Sequence, residues 1–133
     1  MGRSIGAVLI GIVSGIIVTL VTDVVLHAVG VFPPWGQPVS DAPLLLATAY
    51  RTVYSVAASY LIARLAPDRP MQHALAGGVV GFVLSTVGAA VMWNRGPAFG
   101  PHWYPVALVV LALPTAWAGA QLWIMQSRAT RSL

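Results

Sequence analysis

Apolar residues run along this chain in four blocks, Ile5–Val31, Leu44–Leu65, Ala74–Trp93 and Val106–Met125, and most polar residues collect in the short stretches between them. Each block is close to the ~20 residues that an α-helix needs to cross the hydrocarbon core of a bilayer. The breaks between the blocks are chemically definite. Phe32-Pro33-Pro34-Trp35-Gly36-Gln37-Pro38 cannot continue a helix, because its prolines lack amide donors and each restricts the residue before it. Ser40 or Asp41 then supplies a cap for the second helix, with Pro43 in its first turn. Ala66-Pro67-Asp68-Arg69-Pro70 forms a short turn, and Arg95–Tyr104, with its Gly96-Pro97 and Gly100-Pro101 pairs, forms a longer connection. Pro114 falls near the middle of the last block and predicts a kink whose freed carbonyl neighbouring helices must satisfy, and Ser127–Leu133 reads as a frayed polar tail. The pattern predicts an all-α integral membrane protein: one domain over residues 1–133, a four-transmembrane-helix bundle with helices at about 5–31, 44–65, 74–93 and 106–125.

Composition narrows the picture. Of the 133 residues 58% are hydrophobic and 8% charged, with a mean hydropathy of +0.82, too few charges to cover a water-facing surface. The apolar residues must face lipid or one another, and the blocks leave no room for a soluble domain. The first block is longer than the ~7–15 apolar residues of a secretory leader and no small-residue cleavage site follows it, so a retained helix is expected. Gly2 lacks the Ser or Thr at position 6 that myristoylation requires. With no cysteine, thiolate metal sites and thiol redox chemistry are excluded. The formal charge of +4 comes from scattered arginines without an aromatic-basic platform, which excludes nucleic acid as a partner. Every basic residue is Arg, and with the Ala, Gly, Val and Pro bias this resembles a GC-rich bacterial coding sequence.

Charge placement sets an orientation. In a four-span topology Arg3, Arg64, Arg69, Arg128 and Arg131 fall on one side, and only Arg95 and Asp41 on the other. The positive-inside rule then puts both termini and the middle turn in the cytoplasm of a multi-pass inner-membrane protein and argues against a dual-topology dimer. Trp35, Trp93, Trp103 and Tyr104 would form the outer aromatic belt, and Trp123 would lie at the inner interface.

Small residues give each span a packing stripe, since lipid offers no hydrophobic drive for helices to associate. The stripes are Gly11, Gly15, Thr19 and Thr22; Thr48, Ser55 and Ser59; Gly77, Gly81, Ser85 and Gly88; and Ala112, Ala116 and Gly119. The first and third match at a constant offset, and Phe32-x-Pro34 matches Phe99-x-Pro101 at nearly the same one, as two parallel helical hairpins related by an axis along the membrane normal would. Beyond the lipid bilayer, the same stripes are the surfaces for a homo-oligomer or a membrane-protein partner.

Two ionised groups interrupt the apolar pattern, Asp23 in the first span and Arg51 in the second. A carboxylate in hydrocarbon costs about 2.5–3.5 kcal/mol even on a lenient scale, so it requires a partner. Antiparallel neighbours place the two residues at similar depth, and Arg51 shares a helix face with Thr48, Thr52 and Ser55. The expectation is a buried Asp23–Arg51 pair, with His27 one turn outward and Tyr54 one turn inward completing its hydrogen bonds. Asn94, Arg95, His102 and Trp103, with Tyr104, are candidates for the outer mouth of a pocket above it, or for an interfacial aromatic anchor. His73 and Gln121 read as interfacial side chains.

No cofactor is implied. The three histidines lie on both faces without HxxxH or HExxH spacing, Asp23 and His27 offer two metal ligands without a third, and neither a phosphate loop nor a nucleophile elbow occurs. With no nucleophile–base pair, the sequence reads as a non-enzymatic accessory or interaction module with a structural Asp-Arg-His core. The alternative reading is a small transporter or ligand-binding membrane protein in which Arg51 holds an anionic or carbonyl-bearing ligand.

Overall fold

The computed structural model describes residues 2–35, 37–94 and 101–131, and all regular structure among them is α-helical. The helices are α1 (Gly2–Ala28), α2 (Asp41–Leu65), α3 (Pro70–Met92) and α4 (Trp103–Arg131). They alternate in direction, so the two termini and the turn at 66–69 share one end, which carries Arg3, Arg64, Arg69, Arg128 and Arg131. The connections from α1 to α2 and from α3 to α4 share the other.

Each helix departs from its expected limits for a physical reason. The first ends at Ala28 rather than near Val31, because Gly30 takes a left-handed backbone (φ 84°) and closes the helix. The Val31 amide bonds the Leu26 carbonyl at 3.0 Å and the Gly30 amide bonds the His27 carbonyl at 3.3 Å, the paired bonds of a Schellman stop. The second starts a turn early, at Asp41, with Ser40 in extended backbone as its N-cap but without a capping hydrogen bond from the side chain. The third starts at Pro70, whose fixed φ and missing donor suit the first helical position. Arg69 before it is left-handed (φ 43°), and both the His73 amide and His73 Nδ1 reach the Arg69 carbonyl, at 3.2 and 3.0 Å. The expected frayed tail is helical through Arg131, with Thr130 Oγ1 donating to the Gln126 carbonyl and Ser127 Oγ to that of Ile124. Pro114 is internal to α4, and the hydroxyl of Thr115 beside it donates to the Leu111 carbonyl at 2.7 Å.

Three helices, α1, α3 and α4, are long and apolar enough to cross a membrane, with windows of mean hydropathy 2.5, 2.0 and 1.6. Their aliphatic side chains are bare: Leu9, Ile17, Leu20, Val24, Val83, Leu84 and Val110 are each about half exposed or more. Water would not tolerate such a continuous apolar surface, and lipid requires it. The second helix falls short on composition because Tyr50, Arg51, Thr52, Tyr54, Ser59 and Tyr60 lower its hydropathy. It is also the helix with substantial contacts to all three others.

The helices run around the bundle in the order α1, α2, α4, α3, with α1 and α4 scarcely touching. The two hairpins are therefore unequal: α3 packs firmly on α4, whereas α1 leans mainly on α2. The tightest packing lies toward the arginine-bearing end. There the Ile62 side chain fills the gaps left by Gly11 of α1 and Gly77 of α3, and a Cβ at Gly77 would sit 2.6 Å from Ile62 Cδ1. Gly119 rests directly on the backbone of α2 at Val56 and Tyr60, and Gly78 on Ala116. Ala63, Ala74 and Ala120 complete this core, with Val8, Met71 and Trp123 packed against it. Trp123 is thus a packing residue, set edge-on to the Tyr60 ring, rather than only an interfacial anchor.

Candidate functional site

The polar centre lies in the half nearer the connections, where packing is loose. Asp23 sits five residues before the end of α1 and Arg51 ten residues after the start of α2. They meet because α2 begins beyond the level at which α1 stops. Arg51 Nη2 bonds Asp23 Oδ2 at 2.5 Å, and the two side chains are 31% and 15% exposed. Asp23 accepts a second bond, on Oδ1, from the Tyr50 hydroxyl. Both carboxylate oxygens are therefore engaged, as a charge in a low-dielectric setting requires. Arg51 is less completely served: its Nε is buried and has no hydrogen-bond partner.

Tyr54, expected to join the pair, does not. Lying one turn deeper than Tyr50 on α2, it meets the next residue inward on antiparallel α1, and its hydroxyl is 2.9 Å from Thr22 Oγ1. Tyr50 takes its place, with the two rings 5.7 Å apart along one face of α2. His27 is adjacent, but its Nδ1 reaches the backbone carbonyl of Asp23 at 2.7 Å rather than the carboxylate. That contact makes Nδ1 the protonated nitrogen. The His27 ring stacks on Trp35 at 3.6 Å between centroids and on Phe32 at 5.1 Å, so the connection folds back over the end of α1.

Of the mouth candidates, His102 stacks on Trp93 at 3.8 Å and its Nε2 lies 2.8 Å from the Trp93 carbonyl, joining the end of α3 to the start of α4. Trp103 Nε1 donates to Asp41 at 2.9 Å and ties α4 to α2. Asn94 is exposed at the end of α3, and Arg95 lies outside the described residues. Tyr104 is the mouth residue that reaches the centre: it lines the same cavity as Asp23, His27, Tyr50 and Arg51.

Two cavities flank the ion pair, and Asp23 and Arg51 line both. The outer one, about 300 Å³, is roofed by Phe32–Trp35 and Tyr104. The inner one, about 360 Å³, is walled by all four helices. Its α1 and α4 walls are mainly aliphatic, through Ile12, Ile16, Leu20, Leu108 and Leu111, whereas α2 contributes Arg51, Thr52, Ser55 and Ser59. The arrangement can hold a small amphipathic molecule at membrane depth with a guanidinium beside it. Nothing in the helical pattern marked Tyr50 in advance, and Thr22 was marked only as a packing residue. The signal for the cavity was the set of small-residue stripes, of which Gly15, Thr19, Ser55, Ser59, Gly81, Ser85 and Ala112 line it.

The chain matches no family model, and neither curated proteins nor solved structures give a significant match.

Proposed function

We propose that this is a four-span membrane protein, with both termini on the cytoplasmic side of a bacterial inner membrane, that binds or passes a small amphipathic ligand at its Asp23–Arg51 centre. The fourth span is α2. Its 25 residues reach about 37 Å at 1.5 Å per residue. It runs beside α4 and is tied to it at both ends, by Trp103 to Asp41 and by Tyr60 to Gln126. A helix fastened in this way alongside a spanning helix occupies the same thickness of bilayer. Its polar residues are tolerable there because they face the other helices and the cavities. The excess of arginine at the end holding the termini supports the orientation.

The observation that carries the ligand reading is the position of the ion pair, lining a cavity on either side with both side chains still partly exposed. A pair kept only to fix helix register would be expected to be enclosed by packing. The purely structural reading keeps one specific support: beyond Gly11, α1 has no buried residue on the way to Ala28, so the bond to Arg51 is a principal tie of that half.

A double-mutant cycle separates the two. Asp23→Asn, Arg51→Gln and the double variant are compared for yield of folded protein in detergent and for binding of methyl decanoate. Single variants that fold and lose binding are the expected result. Singles that fail to assemble while the double assembles and binds as the unaltered chain does would reject the ligand reading.

A further inference from the structure

The geometry points to a specific ligand class for the inner cavity: an uncharged, single-chain amphiphile whose carbonyl accepts a hydrogen bond from Arg51, entering sideways from the lipid between α1 and α3. This rests on the ligand reading above and adds the charge, the head group and the route.

The charge follows from balance. Asp23 and Arg51 form a salt bridge of net charge zero. A second anion would leave the centre with a net negative charge in a low-dielectric space, and a cation would leave it positive; both are disfavoured. A neutral acceptor adds no charge. The head group follows from the donors available. Of the polar groups on α2, the Thr52 hydroxyl is already spent on the Thr48 carbonyl and Tyr54 is paired with Thr22. Ser55 and Ser59 offer neutral hydroxyls, and Arg51 is the one charged donor on this wall, with five N–H groups of which the bond from Nη2 to Asp23 uses one. A carbonyl oxygen satisfies such a donor without competing for the carboxylate. The route follows from packing. Of the helices adjacent around the bundle, α1 and α3 touch least, beyond Gly77 the α3 glycines Gly81 and Gly88 meet nothing within 4 Å, and both helices line the cavity, through Ile16, Leu20, Gly81 and Leu84. The seam that packing leaves unsealed therefore lies next to the apolar walls. The bonded connections at the other approach, with His27 stacked on Trp35, roof the outer cavity instead.

The absence of cysteine permits a direct test. Ser85, on the cavity wall contributed by α3, is replaced by cysteine, and the rate of its modification by a small thiol reagent is followed in lipid nanodiscs. Methyl decanoate is expected to slow the reaction, and decane, decanoate and decyltrimethylammonium to do so about tenfold less effectively, the factor that one charge-assisted hydrogen bond represents. In the Asp23→Leu, Arg51→Leu double variant, which leaves no unpaired charge, the preference for the ester should vanish while decane protects as before. Equal protection by ester and alkane in the unaltered pair, or stronger protection by decanoate, overturns the head-group assignment and leaves the cavity reading standing. A Ser85→Cys thiol that no probe protects removes both. The same carbonyl chemistry has two sources. An ester lipid that co-purifies and is displaced by methyl decanoate identifies a resident lipid, whereas delipidated protein protected by 2-undecanone identifies a freely diffusing ketone. Gly88→Trp, on the same face of α3 as Gly81 but outside the cavity lining and placed to narrow the seam, should slow entry of the ester without changing its equilibrium protection. Unchanged entry kinetics would reject the lateral route.

Discussion

A cross-section through the bundle at Ala116 and one at Arg51 use the same four helices in opposite ways. Toward the arginine-bearing end, Gly11, Ser59, Ile62, Ala63, Ala74, Gly77, Gly78, Thr115, Ala116, Gly119 and Ala120 are all buried. Toward the connections, α1 beyond Gly11 and α3 beyond Gly78 bury no residue, and α2 buries only Leu44 and Ala47 before Ser59. One half is joined by backbones brought close through glycine and alanine. The other is joined by long polar side chains: Arg51 and Tyr50 to Asp23, Tyr54 to Thr22, Trp103 to Asp41. In lipid, helices gain nothing hydrophobic by associating, so van der Waals contact and hydrogen bonds must supply the attraction. Close contact excludes any ligand. Side chains that reach across a gap hold the helices together and leave space, which is why the outer cavity and the ion pair share one half of the molecule and the inner cavity runs from the pair down to the packed layer at Ile62 and Gly77.

The largest effect that would break this division is expected at Gly119. A side chain there meets the α2 backbone at Val56 and Tyr60, which cannot rotate aside. Gly119→Leu should part α2 from α4 and cost about 3 kcal/mol or more, at the upper end of overpacking penalties. Loss of the cooperative thermal transition followed by circular dichroism in detergent checks it. A variant that melts normally would mean that the seam is not the foundation of the fold.

Ile62→Ala is expected next, at about 2–4 kcal/mol, because it empties the one large side chain that fills the gaps at both Gly11 and Gly77. Ile62 also lines the deep end of the inner cavity, so stability is the readout, by thermal denaturation in detergent. A variant that melts with the unaltered chain would mean that this contact does not join the three helices.

Much of this was legible in the sequence, and the exceptions have causes. The helices and their order follow from apolar length and proline placement. The Asp23–Arg51 contact follows from the cost of a lone charge among apolar residues together with the antiparallel hairpin. The end of α1 was readable too: Gly30 is the residue that a left-handed stop selects, and the apolar residues around it obscured the signal. The choice of Tyr50 over Tyr54 was not readable. It depends on how far α2 projects beyond α1, a matter of a single turn that no periodicity encodes. The glycine stripes were visible as stripes, but their unequal use was not. Gly11 and Gly77 meet Ile62, while Gly81 and Gly88 meet nothing within 4 Å, and that difference is set by the splay of the helices.

That unequal use supplies the smallest and most discriminating expectation. Gly77 and Gly81 are one turn apart on the same face of α3. A methyl group at Gly77 would collide with Ile62 Cδ1, so Gly77→Ala should cost about 1–2 kcal/mol, or less if the isoleucine shifts. At Gly81 the methyl group enters the cavity and touches nothing, so Gly81→Ala should change stability by no more than about 0.5 kcal/mol. Denaturation of both variants in the same detergent measures the difference. Equal destabilisation would show that another surface closes on Gly81 in the membrane. The loop-side half would then be packed rather than open, and the space assigned to a ligand would belong to a second helix.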